Sequence, residues 1–264
     1  MFEPRLLHHV IEGQGPTIGL AVHAGHEIRA DLLNFLQLDE LARMREEDPF
    51  TDYLAFACHS QFLPRRSRFE VDLNRPREEA LCVVPDDCWG LDVWQPEAVD
   101  TVLPRAMAEH ETFFARLEGV LRQIERRYGG FVLFDLHSYN HRRSGPDAAP
   151  APIETNPEIN LGTGTMDRDR WAPLVERFLD VMRTADVCGR KLDVRENVKF
   201  RGREVPRFVH ERFPETGCAL AIEFKKTFMD EWTGAVDGPH LLALRAALES
   251  AVRALSEHFE AKEA

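Results

Sequence analysis

Three apolar runs, far apart in this chain, each end in side chains that can bind a metal or move a proton. Ile18-Gly19-Leu20-Ala21-Val22 delivers His23-Ala24-Gly25-His26-Glu27. Phe131-Val132-Leu133-Phe134, entered through Gly129-Gly130, delivers Asp135, His137, Ser138 and Tyr139. Cys218-Ala219-Leu220-Ala221-Ile222 delivers Glu223. A catalytic zinc takes three protein ligands and keeps a further position for water. His23, His26 and His137 can supply three nitrogens, and Gly25 lets the first two rings face one point. Glu223 is the natural general base, a carboxylate able to take a proton from water and pass it to a leaving nitrogen. Its competing role is an ion pair with Lys225 or Lys226.

Other chemistry is narrower. No H-E-x-x-H occurs, because Ala30 and Ala115 stand where His26-Glu27 and His110-Glu111 would need a second histidine. Asp135, His137 and Ser138 crowd into four positions of one strand end, too close to serve as orienter, base and nucleophile of a serine triad. Glu27 points away from His26 as a solvated carboxylate, and His141 is a substitute ligand or a surface residue. The Arg75 guanidinium, after Asn74, is a fork suited to a carboxylate, with a structural salt bridge as the competing role. Arg68 and Arg201 are candidates for the same work or for stabilising an oxyanion.

The elements that position these residues follow from periodicity. Short apolar runs bounded by turn residues predict strands buried on both faces, with ligands bound beyond their carboxyl ends. Residues 1–17 read as an entry strand or loop, and 31–44 as one or two short helices ended at Pro49. Tyr53–Cys58 fits strand or helix, and Phe62-Leu63 fits a strand. Pro64–Arg77 sets Arg65, Arg66, Arg68, Asp72, Asn74 and Arg75 around Phe69, Val71 and Leu73. Proline-rich Glu78–Pro104 predicts a long functional loop, and Ser144–Gly164 a substrate-covering or passive one. Helices are expected around Phe113–Tyr128, Trp171–Met182 and Pro239–Phe259, and a basic extended segment over Val198–Val209. The sum is an α/β protein, a single three-layer unit over 1–264.

Composition limits the partners. With 45 acidic and 33 basic residues the formal net charge is −12, which argues against non-specific nucleic-acid binding and favours a small-molecule substrate. The first residues lack the pattern of a secretory signal, and no apolar run reaches transmembrane length, so a cytoplasmic protein without membrane contact is expected. The five cysteines form no C-x-x-C pair and read as reduced thiols.

Taken together, His23-Ala24-Gly25, Glu47–Asp52, Ser67–Arg75, Asp135-Leu136-His137-Ser138, Leu161-Gly162-Thr163, Phe200-Arg201-Gly202 and Ile222-Glu223 resemble the N-formylglutamate amidohydrolase family. The blocks follow that family's order over about residues 18–232, and the most specific are Asp72–Arg75 and Asp135–Ser138. The family is similar in turn to the zinc carboxypeptidases and aspartoacylases, which implies a phosphorylase/hydrolase-like α/β/α fold with a mixed, mostly parallel twisted sheet. The resemblance implies a second histidine ligand at His137, a carboxylate-binding pair at Asn74-Arg75 and a catalytic glutamate at Glu223. Where carboxypeptidases carry glutamate three residues after the first histidine, this chain has His26, a neutral third ligand.

The activity implied is metal-dependent removal of a short N-acyl group, such as formyl, from an acidic amino acid. His23, His26 and His137 would hold Zn2+ or another divalent metal. Glu223 would serve as base, Arg68 as a catalytic cation, and Asn74, Arg75 and Arg201 as substrate-binding groups. A role in histidine breakdown follows from the resemblance alone. The alternatives are a carboxypeptidase-like peptidase and an inactive binding protein on the same fold.

Overall fold

The computed structural model describes residues 8–260. The first residues of the entry segment and of the signal-sequence reading lie outside them. Strands β1 (His8–Ile11), β2 (Thr17–Leu20), β3 (Ser60–Pro64), β4 (Phe131–Tyr139), β5 (Ile159–Gly162), β6 (Val194–Glu196) and β7 (Gly217–Lys225) form one sheet in the order β1-β3-β2-β4-β7-β5-β6. The contiguous block β3, β2, β4 and β7 is parallel; β1 and β5 join it antiparallel, and β6 runs parallel to β5. The sheet is therefore mixed and mostly parallel, as the resemblance implied, and the three apolar runs lie in its parallel block.

Helices α1 (Glu40–Glu46), α2 (Thr51–Ala55), α3 (Val99–Tyr128), α4 (Ala172–Thr184), α5 (Glu204–Arg212) and α6 (Gly238–Glu260) complete the described residues. Their apolar stripes cover both sheet faces. Phe178 and Met182 of α4 and Leu244, Leu248 and Leu255 of α6 pack on Val132, Phe134, Leu220 and Ile222. Phe113, Leu117 and Leu121 of α3 and Val205 and Val209 of α5 pack on Ile18, Leu20, Phe131, Leu133 and Ala219. Helix α3 ends at Gly129, whose left-handed φ of 73° lets its N–H reach the Glu125 carbonyl. That glycine sets the chain directly into β4.

Strand β4 does not stop at Phe134. It continues through Asp135, Leu136, His137, Ser138 and Tyr139, all buried. The two-residue period sends Val132, Phe134 and Leu136 to the α4/α6 face, and Phe131, Leu133, Asp135 and His137 to the other. Along this second face the strand changes from apolar to charged, and β7 repeats the change from Ala219 to Glu223. The register pairs Asp135 with Ala221 and His137 with Glu223, so the charged stretches lie side by side.

Several expectations change. Tyr53–Cys58 is not a strand: residues 51–55 are helix α2. The loop after Glu78 ends early, because 99–104 already belong to α3. The basic segment is extended only to Arg203, where α5 begins. Cys82 and Cys88 are not free thiols but a disulfide, their Cα atoms 5.9 Å apart across a tight loop. Cys58, Cys188 and Cys218 are free. No helix among the described residues is long and apolar enough to cross a membrane.

Candidate active site

The carboxyl ends of the parallel strands open into a cavity of about 500 Å³. Its floor holds two histidines around one carboxylate. His23 lies in the turn after β2, and His137 projects from β4, their ring centroids 4.9 Å apart. Asp48 sits between them, its Oδ2 3.4 Å from His23 Nδ1 and 3.1 Å from His137 Nδ1. It reaches this place from the bend between α1 and α2, where its N–H donates to the His23 carbonyl and its own carbonyl accepts from Thr51 Oγ1. All three side chains are buried.

Each imidazole turns its far nitrogen to another acid. His23 Nε2 is 2.7 Å from Asp72 Oδ1, and His137 Nε2 is 3.0 Å from Asp135 Oδ1. Burial alone would raise the Asp48 and Asp72 carboxyls. Bonds from His137 and His23 to Asp48, and the charges of His23 and Arg68 on Asp72, outweigh it and hold both below the usual range. Burial works against protonating His137, yet Asp135 outweighs it and lifts the ring well above its ordinary pKa. Two imidazoles are thus packed among three carboxylates.

This donor set fits a divalent metal. Two imidazole nitrogens and one carboxylate oxygen lie within 4.8 Å of one another, and two histidines with one carboxylate are a known zinc combination. Histidine ligands generally give their other ring nitrogen to a carboxylate, as His23 does to Asp72, while His137 Nε2 makes a 3.0 Å ion-pair contact with Asp135. Asp48 Oδ1 is buried and makes no hydrogen bond, which leaves it free to turn toward an ion.

His26 is not brought into this group. Its Nδ1 is 2.5 Å from Glu47 Oε2 and its Nε2 is 3.0 Å from Arg43 Nη2. Both ring nitrogens are thus engaged away from the cluster, and the bond to Glu47 raises the ring's pKa. The third donor near His23 and His137 is thus acidic, Asp48, rather than the neutral His26. Asp48 lies in Arg45–Asp52, which read as a helix break at Pro49. The one sequence signal for it was its place in the family-like Glu47–Asp52 block.

Glu223 faces the same cavity. Neither Lys225 nor Lys226 pairs with it: Lys225 donates to the Asn156 carbonyl, and Lys226 to the Arg45 and Glu47 carbonyls. Burial pushes the Glu223 carboxyl up to about 7, although the neighbouring His137 draws it down. Lys226, considered in the sequence only as an ion-pair partner of Glu223, is instead fully buried and straps the chain on either side of Glu46 to the end of β7.

The arginines are partly committed. Arg68 donates to the Glu46 carbonyl and to Asp72 Oδ2, and lies 4.7 Å over the Trp89 ring. Arg75 uses Nε on Asp72 and Nη2 on the Asp87 carbonyl. Asn74 Nδ2 lies 3.3 Å from His137 Nε2, and its Oδ1 accepts from the Val205 N–H. Arg201 lines the cavity as an exposed side chain with no ion pair among the described residues. Glu27 is not simply solvated, since it pairs with Arg65. His141 lies away from the floor, 3.8 Å from Glu231.

A charged cavity with a buried His-Asp-His cluster, at the ends of parallel strands, is the site of an α/β enzyme acting on a small polar ligand. The chain belongs to the N-formylglutamate amidohydrolase family, whose model matches residues 15–229. It is therefore a hydrolase of the amidohydrolase type. The solved N-formylglutamate amidohydrolase from Ralstonia eutropha superposes with a TM-score of 0.74 at 16% identity, covering 96% of this chain and 98% of that one. A gene product of Agrobacterium tumefaciens gives 0.64 at 20% identity, covering 95% of each chain. These identities speak for the fold alone. No curated protein sequence matches the chain.

Proposed function

We propose that this protein hydrolyses the amide bond between a short acyl group, such as formyl, and an acidic amino acid such as glutamate. It would do so with a divalent cation, zinc by the nature of the donors, held by His23, Asp48 and His137. When bound, the cation supplies Lewis acidity at the acyl carbonyl and to water. The observation that carries the reading is Glu223 beside His137, its register partner, with a carboxyl poised at about 7. Such a group accepts a proton from attacking water near neutral pH and returns it to the departing amine nitrogen.

Arg68, across the cavity floor, offers its guanidinium to charge developing on the carbonyl oxygen. Arg75 keeps Nη1 uncommitted, and with Arg201 and the neighbouring Asn74 it holds the substrate's α-carboxylate. Buried Asp72 and Asp135 fix the two imidazoles so that their Nδ1 atoms face Asp48.

The test is hydrolysis of a panel of N-acyl amino acids and short peptides by zinc-loaded protein. Release of free glutamate from N-formylglutamate is the expected result. A panel left intact throughout sinks the proposal, and cleavage confined to the C-terminal residues of longer peptides replaces it with a peptidase.

A further inference from the structure

Of the basic side chains that line the cavity, Arg68, Arg75 and Arg143 are paired with carboxylates, and Lys226 is held by two backbone carbonyls. The exceptions sit together on residues 197–203: Lys199, Arg201 and Arg203 make no ion pair among the described residues. In a chain of net charge −12, three cations without an ion pair on one short arm need an explanation.

The arm is fixed to the sheet. Asn160, fully buried on β5, is the register partner of Glu223. Its Oδ1 accepts from the N–H groups of Lys199 (2.8 Å) and Phe200 (3.3 Å), and its Nδ2 donates to the Phe200 carbonyl (2.8 Å). Gly162 lets the arm come close, since a Cβ there would stand 2.6 Å from the Gly202 nitrogen. The backbone carrying Lys199 is thus tied to the strand position beside Glu223.

The Lys199 side chain is held as well. Its ammonium donates to Asn156 Oδ1 at 2.8 Å and lies 5.3 Å from the Tyr139 ring and 5.6 Å from the Phe200 ring. Asn156 is itself anchored, its amide donating to the Pro152 carbonyl and to Thr155 Oγ1. An oriented ammonium with a neutral partner retains donors for an anion. Burial, with Arg143 nearby, lowers its pKa against the opposing charge of Glu223, with which it makes no ion pair among the described residues.

We infer that Lys199 reads the second, side-chain carboxylate of a dicarboxylic substrate and so sets the preference of the site for acidic amino acids. The inference rests on the reading of the cavity as an N-acyl amino acid site, but its test does not require turnover. Glutarate and butyrate differ by one carboxylate, and calorimetry measures the binding of each to the zinc-loaded protein. The native protein should favour glutarate. Lys199→Met should weaken glutarate binding by about ten- to a hundred-fold, the worth of a hydrogen bond to a charged group, and leave butyrate unchanged. Asn156→Asp, which keeps the ammonium but gives it a carboxylate partner, should lose the same preference. In kinetics, Lys199→Met should raise KM for N-formylglutamate with little change in kcat, and leave N-formylnorleucine unaffected.

A native protein that does not distinguish the two acids, or a Lys199→Met protein that binds glutarate as the native one does, overturns the assignment. A native protein that prefers glutarate through Lys199 yet hydrolyses no N-acyl amino acid refutes the proposed reaction and leaves this seat standing.

Discussion

At the scale of single residues, the proposed reaction gives Glu223 and Asp48 separable roles. Glu223→Gln keeps the shape of the base but cannot accept a proton, and should cost roughly a hundred- to ten-thousand-fold in kcat with metal content unchanged. A variant of native activity would remove Glu223 from the mechanism. The pH profile has a definite sign. Burial raises the Glu223 carboxyl to about 7, so the base is protonated and idle on the acid side of that value. The ratio kcat/KM should climb with pH to a plateau, with a midpoint at or below about 7, because a bound cation favours the carboxylate. Asp48→Ala should abolish tight metal uptake, whereas His26→Ala should keep it, since His26 is engaged with Glu47 and Arg43. Metal analysis of the two purified variants decides, and the reverse pattern would restore His26 as the ligand. His23, His137 and Glu223 were legible because each follows an apolar run. Asp48 was not, because an acid in a charged helix break looks like any solvated carboxylate until the fold carries it inward.

At the scale of elements, the close approaches matter more than the periodicities. The turn bearing His23 lies against the chain leaving β3: a Cβ on Gly25 would stand 2.4 Å from the Arg66 carbonyl oxygen and 2.6 Å from the Arg65 carbonyl carbon. Backbone cannot yield as a flexible side chain does. Gly25→Ala should therefore push the turn off β3, destabilise the protein by about 1–3 kcal/mol and weaken metal binding. Thermal melts with and without zinc measure both effects, and an unchanged melting point in the two would remove the constraint. The sequence showed Gly25 only as a flexible turn residue, since the facing strand is forty positions away and periodicity carries no information about it. The amphipathic stripes of α3, α4 and α6 were readable for the opposite reason, being local. Strand β4 was read short because its apolar run stops at Phe134, while the ladder with β7 continues through polar residues that the site requires.

At the scale of the whole molecule, the cavity wall depends on a staple absent from the sequence reading. The Cys82–Cys88 bridge, with a separation of 6 residues, closes the loop that presents Asp86, Asp87 and Trp89 to the cavity. Loop-closure entropy for so short a span is worth about 2 kcal/mol, or about 4–8 °C in Tm for a chain of this length. A Cys82→Ala/Cys88→Ala variant should melt lower by that amount and show a raised KM; an unaltered KM would mean that the loop keeps its place unaided. The interleaved order of the sheet has a kinetic consequence as well. Thr17 pairs with Val132, and Phe131 with Gly217, so the nucleus of the parallel block must close loops of about a hundred residues. Non-local pairing of this kind slows folding. A nascent chain that has made His23 and Asp48 still lacks the strand bearing His137, and Glu223 arrives later again. Metal uptake can then report only on a nearly finished molecule: in refolding experiments tight zinc binding should appear with the last, slowest phase, after most helical signal has returned.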